Sequence, residues 1–308
     1  MGNKYFKYWQ YGAVLIACLF SWPAFSSNYT ALVVYPDVGK PFNQVYENII
    51  SGIVTTDNLE VTKYKYDDSS SSDAFLKQLH NIKPKIIIVL GNKSYHFVKS
   101  LKLNIPTIIS AVFEVLPKDN CICMNIEPSL VFKRLKKMHG DIKRVFVVFN
   151  PSTNQWMIKK AYDIADKLNI KLVAKQAKSS FDAAKIYKDI LSVIKQTDAI
   201  WLPVDSVFPS DVILPEILQS AWDNKFIVFS TSPAYVKQGG LFAMYPDNKG
   251  MGHQIGKVSL DVIKQKHRTI RENTIYSKSA INIRTGHHLG MRFNDNQLSG
   301  FDVVFPNR

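Results

Sequence analysis

The chain has 308 residues with a formal net charge of +14, a length that predicts two domains, each large enough for its own core. The basic excess does not make a nucleic-acid footprint: the lysines are scattered over predicted helix surfaces, and the densest cluster, Lys133-Arg134-Leu135-Lys136-Lys137, falls on one amphipathic helix. It reads as a solvated face or an attraction to an anionic envelope surface.

In chain order, residues 1–26 come first. Lys4 and Lys7 make a short basic start without acids, Tyr11–Trp22 is apolar, and Pro23, Ala24 and Ser26 supply a breaker and a small-residue exit. This is the pattern of a secretory signal peptide, cleaved near Ser27. The apolar run is too short for the ~20 residues of a spanning helix, which argues against a retained anchor. Leu15-Ile16-Ala17-Cys18 resembles a lipobox, but the run continues past Cys18 where a polar tether would begin. The expectation is an exported, soluble protein in the periplasm or beyond.

From residue 30, β-rich apolar runs alternate with amphipathic segments. The runs are Ala31–Tyr35, Glu60–Tyr66, Lys85–Leu90, Thr107–Val112, Arg144–Phe149, Lys171–Ala177, Ala199–Pro203, Phe226–Ser230 and Gly240–Met244. Several are apolar throughout, as strands buried on both faces of a parallel sheet are. Between them Phe42–Val54 places Val45, Ile49, Ile50 and Ile53 on one helical face, and Ala183–Ile194 does the same with Ile186, Ile190, Leu191 and Ile194. The alternation predicts an α/β protein of two doubly wound, Rossmann-like lobes. A less regular stretch, Phe113–Glu127, separates them. Cys121 and Cys123 share one face of a strand, and a disulfide across that spacing is read as strained; free thiols or an intermolecular bridge are the open alternatives, with a structural role the safer reading.

In open α/β sheets ligands bind beyond the carboxyl ends of the strands, and those loops are the polar ones here. They are Tyr35-Pro36-Asp37, Gly91-Asn92-Lys93-Ser94, Asn150–Trp156, Pro203–Ser206 and Ser230–Pro233. Asn92–Ser94 open a helix and offer donors to a carboxylate, with N-capping as the equally open alternative. Asp205 is read either as the partner of a ligand ammonium or as a cap. Tyr35, Phe113 and Trp156 supply apolar walls, and Ser206, Ser232 and Tyr245 complete the candidate set. No phosphate-binding glycine loop, metal-spaced histidine pair or Gly-x-Ser-x-Gly elbow is present, and the adjacent His287 and His288 would diverge. The expectation is a binding protein without enzymatic activity, cofactor or metal.

Three segments carry a resemblance: Arg144–Pro151, Asp198–Asp205 and Gly239–Asp247, followed by a helix from Gly252 and by Ala280–Gly290. In this order they resemble the ABC-transporter substrate-binding family of the type I periplasmic-binding-protein fold, including tryptophan- and tyrosine-binding members. The resemblance implies a hinged protein with lobes of residues 27–125 plus 247–278 and 126–246 plus 279–308. It implies crossings near Cys123–Pro128, Tyr245–Asn248 and Tyr276–Ala280, and a cleft faced by Asp205. It further implies a small amino-acid-like or carboxylate ligand delivered by a monomer to an inner-membrane permease, or, alternatively, a ligand signal passed to a membrane sensor receptor. Asp119–Met124 replaces the family's usual segment after the fourth strand, so ligand identity does not transfer.

Overall fold

In the computed structural model, which describes residues 28–69, 71–112, 115–264 and 269–306, the apolar runs become strands of two separate sheets. The leader, with Cys18, and Phe113 lie outside the described residues. Among those described, no helix is long and apolar enough to cross a membrane.

The first sheet takes β1 (Tyr29–Pro36), β2 (Leu59–Tyr66), β3 (Ile86–Leu90), β4 (Thr107–Ser110), β5 (Asn120–Ile126) and, late in the chain, β11 (Arg271–Thr274). Its order is β11-β5-β4-β3-β1-β2, and every pairing is parallel. The second takes β6 (Arg144–Phe149), β7 (Lys171–Gln176), β8 (Asp198–Leu202), β9 (Ile227–Ser230), β10 (Phe242–Pro246), β12 (Ser277–Asn282) and β13 (Val303–Phe305). Its order is β13-β12-β10-β9-β8-β6-β7, with β12 antiparallel to β10.

Both faces of each sheet are covered, which is why the runs are apolar without alternation. On β3, Ile86, Ile88 and Leu90 pack with α1 (Phe42–Val54) and α9 (Asn248–Lys264), while Ile87 and Val89 pack with α2 (Ser72–Ile82) and α3 (Asn92–Ser100). In the second sheet, Val145, Val147 and Phe149 of β6 join α4 (Pro128–Met138) and α5 (Pro151–Lys167), whereas Phe146 and Val148 join α6 (Ser180–Leu191) and α7 (Ser210–Asn224). Each buried branched side chain contributes roughly 1.5–3 kcal/mol. The remaining helices, α8 (Pro233–Lys237), α10 (Ile283–His288) and α11 (Asp295–Leu298), are short.

The chain passes between the sheets three times: from β5 to α4, from β10 to α9, and from β11 to β12. Ser277 and Lys278 pair with Pro246 and Tyr245 in the second sheet, so the third passage lies at Ile275–Tyr276, just before the expected boundary. The α1–α9 pair is unusually intimate. A Cβ at Gly52 would collide with the Lys249 carbonyl oxygen, one at Gly252 with the Ile49 carbonyl oxygen, and one at Gly256 with the Thr56 hydroxyl.

The irregular stretch contains β5, a strand that periodicity missed because its polar residues serve the sheet edge. Asn120 donates through Nδ2 to the Thr107 carbonyl (3.0 Å) and accepts from the Ile270 amide (2.9 Å). Cys121 and Cys123 form an intrachain disulfide, which corrects the expectation of free thiols or an intermolecular bridge. Their Cα atoms are 5.6 Å apart, within the roughly 4.4–6.8 Å that a disulfide spans.

Candidate functional site

The candidate loops all leave the carboxyl ends of strands, as predicted, but their side chains fall into separate groups. In the first lobe, Tyr35 ends β1 half-buried against the α1 face. Asp37 pairs with Lys65 at 2.7 Å and Lys93 with Asp68 at 2.6 Å, all four side chains well exposed. The hydrogen bonds to these carboxylates raise the pKa of both lysines. Such solvated pairs hold their geometry loosely and exchange partners readily. Gly91, which opens α3, has φ +82°, and a Cβ there would meet the Tyr46 hydroxyl at 2.7 Å, so both conformation and space call for glycine. Asn92 is exposed, whereas Ser94 is fully buried and its hydroxyl meets no protein partner.

In the second lobe, Asn150 caps α5, its side chain accepting from the Ser152 amide (3.0 Å) and donating to the exposed Ser206 hydroxyl (3.3 Å). Asp205 is engaged on both oxygens. Oδ2 accepts from the Asn150 amide (2.9 Å) and Asn154 Nδ2 (2.7 Å), and Oδ1 accepts from the Val207 amide (3.0 Å). Of its two sequence readings, the geometry matches the cap: the carboxylate ties the β8–α7 loop to the first turn of α5. Removing it would strand three donors, so Asp205→Ala is expected to lower unfolding stability by about 2 kcal/mol. Chemical denaturation checks this, and an unchanged midpoint would favour the reading of Asp205 as the partner of a ligand ammonium.

Asn125, at the end of β5, was not singled out in sequence. It is buried and clamps the backbone of Val204 reciprocally, donating to its carbonyl (2.9 Å) and accepting from its amide (2.7 Å). The residue before the first passage between lobes is thereby locked to the loop that holds Asp205. Nothing in a single sequence distinguishes this asparagine from its neighbours.

Trp156 packs on the core of the second lobe and meets residues of the first. It lines a cavity of about 570 Å³ with Pro117, Lys160 and Arg271 and with two carboxylates, Asp261 and Glu272. The Arg271 guanidinium carbon and the Lys160 ammonium each lie 5.4 Å from its ring centroid, within cation–π range. Arg271 stands on the edge strand β11 and reaches across, donating to the Leu116 carbonyl (2.6 Å) in its own lobe and to the Thr153 carbonyl (3.5 Å) of α5. Burial lowers its pKa, an effect opposed by Asp119 and Tyr95. The Nε of Arg271 and the Nε1 of Trp156 are both buried without an acceptor. Arg271 and Trp156 thus line one cavity from opposite lobes. Sequence reading passed over Arg271 because Arg271-Glu-Asn-Thr274 has no strand periodicity.

Two other candidates lie apart. Ser232 precedes α8 and exchanges hydrogen bonds with the Ser230 hydroxyl (3.1 and 3.0 Å). Tyr245 packs on the Val236–Ala243–Ala280 cluster and lines a cavity with Asn48, Asn248 and Tyr276 at the second passage. His288 stacks on Trp222, with ring centroids 3.7 Å apart.

Two doubly wound lobes, three strands of chain between them and polar loops at the facing strand ends define the architecture of a type I periplasmic binding protein. Solved structures agree. The ABC domain in complex with L-Trp from Streptococcus pneumoniae is 18% identical, with a TM-score of 0.56, over 91% of this chain and 100% of that one. The ligand-free, open structure of a substrate binding protein with adhesive properties from Clostridium difficile is 15% identical, with a TM-score of 0.58, over 90% and 99%. A tyrosine-binding protein of Clostridioides difficile (strain R20291) is 22% identical over 134 residues, 43% of this chain. That match spans 37% of the relative's length, little more than a third. The profile described as ABC transporter substrate binding protein matches residues 43–302, and the chain belongs to that family. The members of that family are substrate-binding proteins of ABC transporters.

Proposed function

We propose that the protein captures a small zwitterion or carboxylate between its lobes, an aromatic amino acid being the first choice, and delivers it to a membrane ABC permease. The observation that carries this reading is the pair Arg271 and Trp156, which bring a cation and an indole face from opposite lobes to one cavity. A carboxylate pairs with such a cation, and an aromatic side chain matches an indole wall. The names of the relatives, one binding tyrosine and one holding L-Trp, support the same ligand class. The three passages act as the hinge. Contacts divided between lobes form together only on closure, which gives the affinity.

Titration of the purified protein with tyrosine, tryptophan, glutamate and ribose, followed by tryptophan fluorescence and calorimetry, tests the reading. Amino acids are expected to bind and to change the emission, with the change lost in Trp156→Phe. Heat from ribose together with none from any amino acid would overturn the ligand class while leaving the family membership untouched.

A further inference from the structure

A second cavity, of about 620 Å³, lies on the other end of the second lobe. Because β12 runs antiparallel to β10, the segment after it emerges at the amino ends of the parallel strands, where α4 also ends. The cavity is therefore remote from the candidate loops, which leave the carboxyl ends. Arg134 and Lys137 of the dense basic cluster line it, joined by His139 and by Arg292 from the segment after α10, against one carboxylate, Asp141.

Lysines at the end of α4 are ordinary complements of a helix dipole. The same holds for His139, the residue that ends α4, but not for Arg292, which comes from the segment after α10. Among the described residues neither Arg134 nor Arg292 forms an ion pair, and the Nδ1 of His139 is buried without a partner. The Arg134 guanidinium lies over the Phe301 ring at 4.7 Å, and its hydrogen bonds, to the Gly300 carbonyl (3.3 Å) and Ser279 Oγ (3.5 Å), are long. Phe301 and Met291 add apolar wall beside the charges. Planar guanidinium forks suit phosphate oxygens.

We infer that this cavity is a second binding site, which takes a phosphate-type anionic head carried on an apolar body. The head belongs either to a soluble phosphorylated molecule or to a lipid of the membrane surface; the two share the same recognition chemistry. The site does not depend on the interlobe reading.

The test uses two probes, inorganic phosphate by calorimetry and co-sedimentation with vesicles of phosphatidylglycerol in phosphatidylcholine. Two cavity variants, Arg134→Gln/Arg292→Gln and Lys137→Gln/Arg292→Gln, are compared with Lys171→Gln/Lys188→Gln, which removes the same charge from the opposite edge of the lobe. The second cavity variant alters only exposed residues, so it folds even if Arg134 proves structurally necessary. Diffuse attraction to a membrane weakens all three alike, by roughly fivefold per charge lost. The site is supported if the cavity variants lose at least tenfold more than the control. A selective loss with vesicles assigns the head to lipid, and a selective loss with phosphate alone assigns it to a soluble molecule. Equal losses in all variants, or no binding of either probe by the wild type, overturn it. Amino-acid titration of the same variants is expected to be unchanged, which separates this outcome from failure at the interlobe cavity.

Discussion

Gly252→Ala is expected to destabilise the protein by about 3 kcal/mol or more, at the upper end of overpacking costs because backbone gives way on both sides. The methyl would enter the space of the Ile49 carbonyl oxygen and press on Gly52. No side chain is available to rotate aside, so relief requires α1 and α9 to separate, and separation uncovers Ile49, Ile53, Met251 and Ile255 together. Gly140→Ala is the control: nothing lies near a Cβ at that position, so the change should stay within about 0.5 kcal/mol. Urea unfolding midpoints of the two variants measure the difference. A Gly252→Ala midpoint equal to wild type would show that the helix pair is looser than its geometry requires.

Arg271→Gln is expected to weaken amino-acid binding by roughly thirty- to a hundredfold, the equivalent of one or two charge-assisted hydrogen bonds. Glutamine retains polarity and part of the length but removes the cation. Asp119, whose charge acts on Arg271, is itself engaged by the Tyr95 hydroxyl and the Lys99 ammonium, each at 2.7 Å. Isothermal calorimetry on the most tightly bound amino acid checks the value. Its amide analogue, which lacks the carboxylate charge, should bind wild type and variant alike. Loss of both ligands by the same factor would assign Arg271 to closing the lobes rather than to reading the carboxylate.

The strands were legible because a sheet covered on both faces demands continuous apolar runs, and Ile86–Leu90 or Arg144–Phe149 admit no other economical reading. The bounds of α1 coincide with the periodic stretch Phe42–Val54. The helix read as Ala183–Ile194 instead spans Ser180–Leu191, because the Ser179 hydroxyl accepts from the Asp182 amide and starts the helix earlier. Ser179 is the local signal for that earlier start. β5 and β11 were not legible, since their polar residues serve each other across about 150 positions of chain; Ile270 bonds to Asn120, a pairing no local window contains. The site divided in the same way. Loops at strand ends could be placed by topology, whereas the partners of Asp205 and the reach of Arg271 depend on tertiary placement.

The three passages between lobes also bear on how the molecule is assembled. The core strands of the second sheet, β6 through β10, come from one uninterrupted stretch, whereas the first sheet receives β11 and its covering helix α9 only after that stretch is complete. Long-range pairings of this kind form late, because the intervening chain must first be ordered. The second lobe is thus the natural seed of folding, and the first remains open along the apolar face of α1 until residue 248 onward has arrived. A chain cut before α9 would carry that face uncovered into solution, where exposed apolar surface drives aggregation.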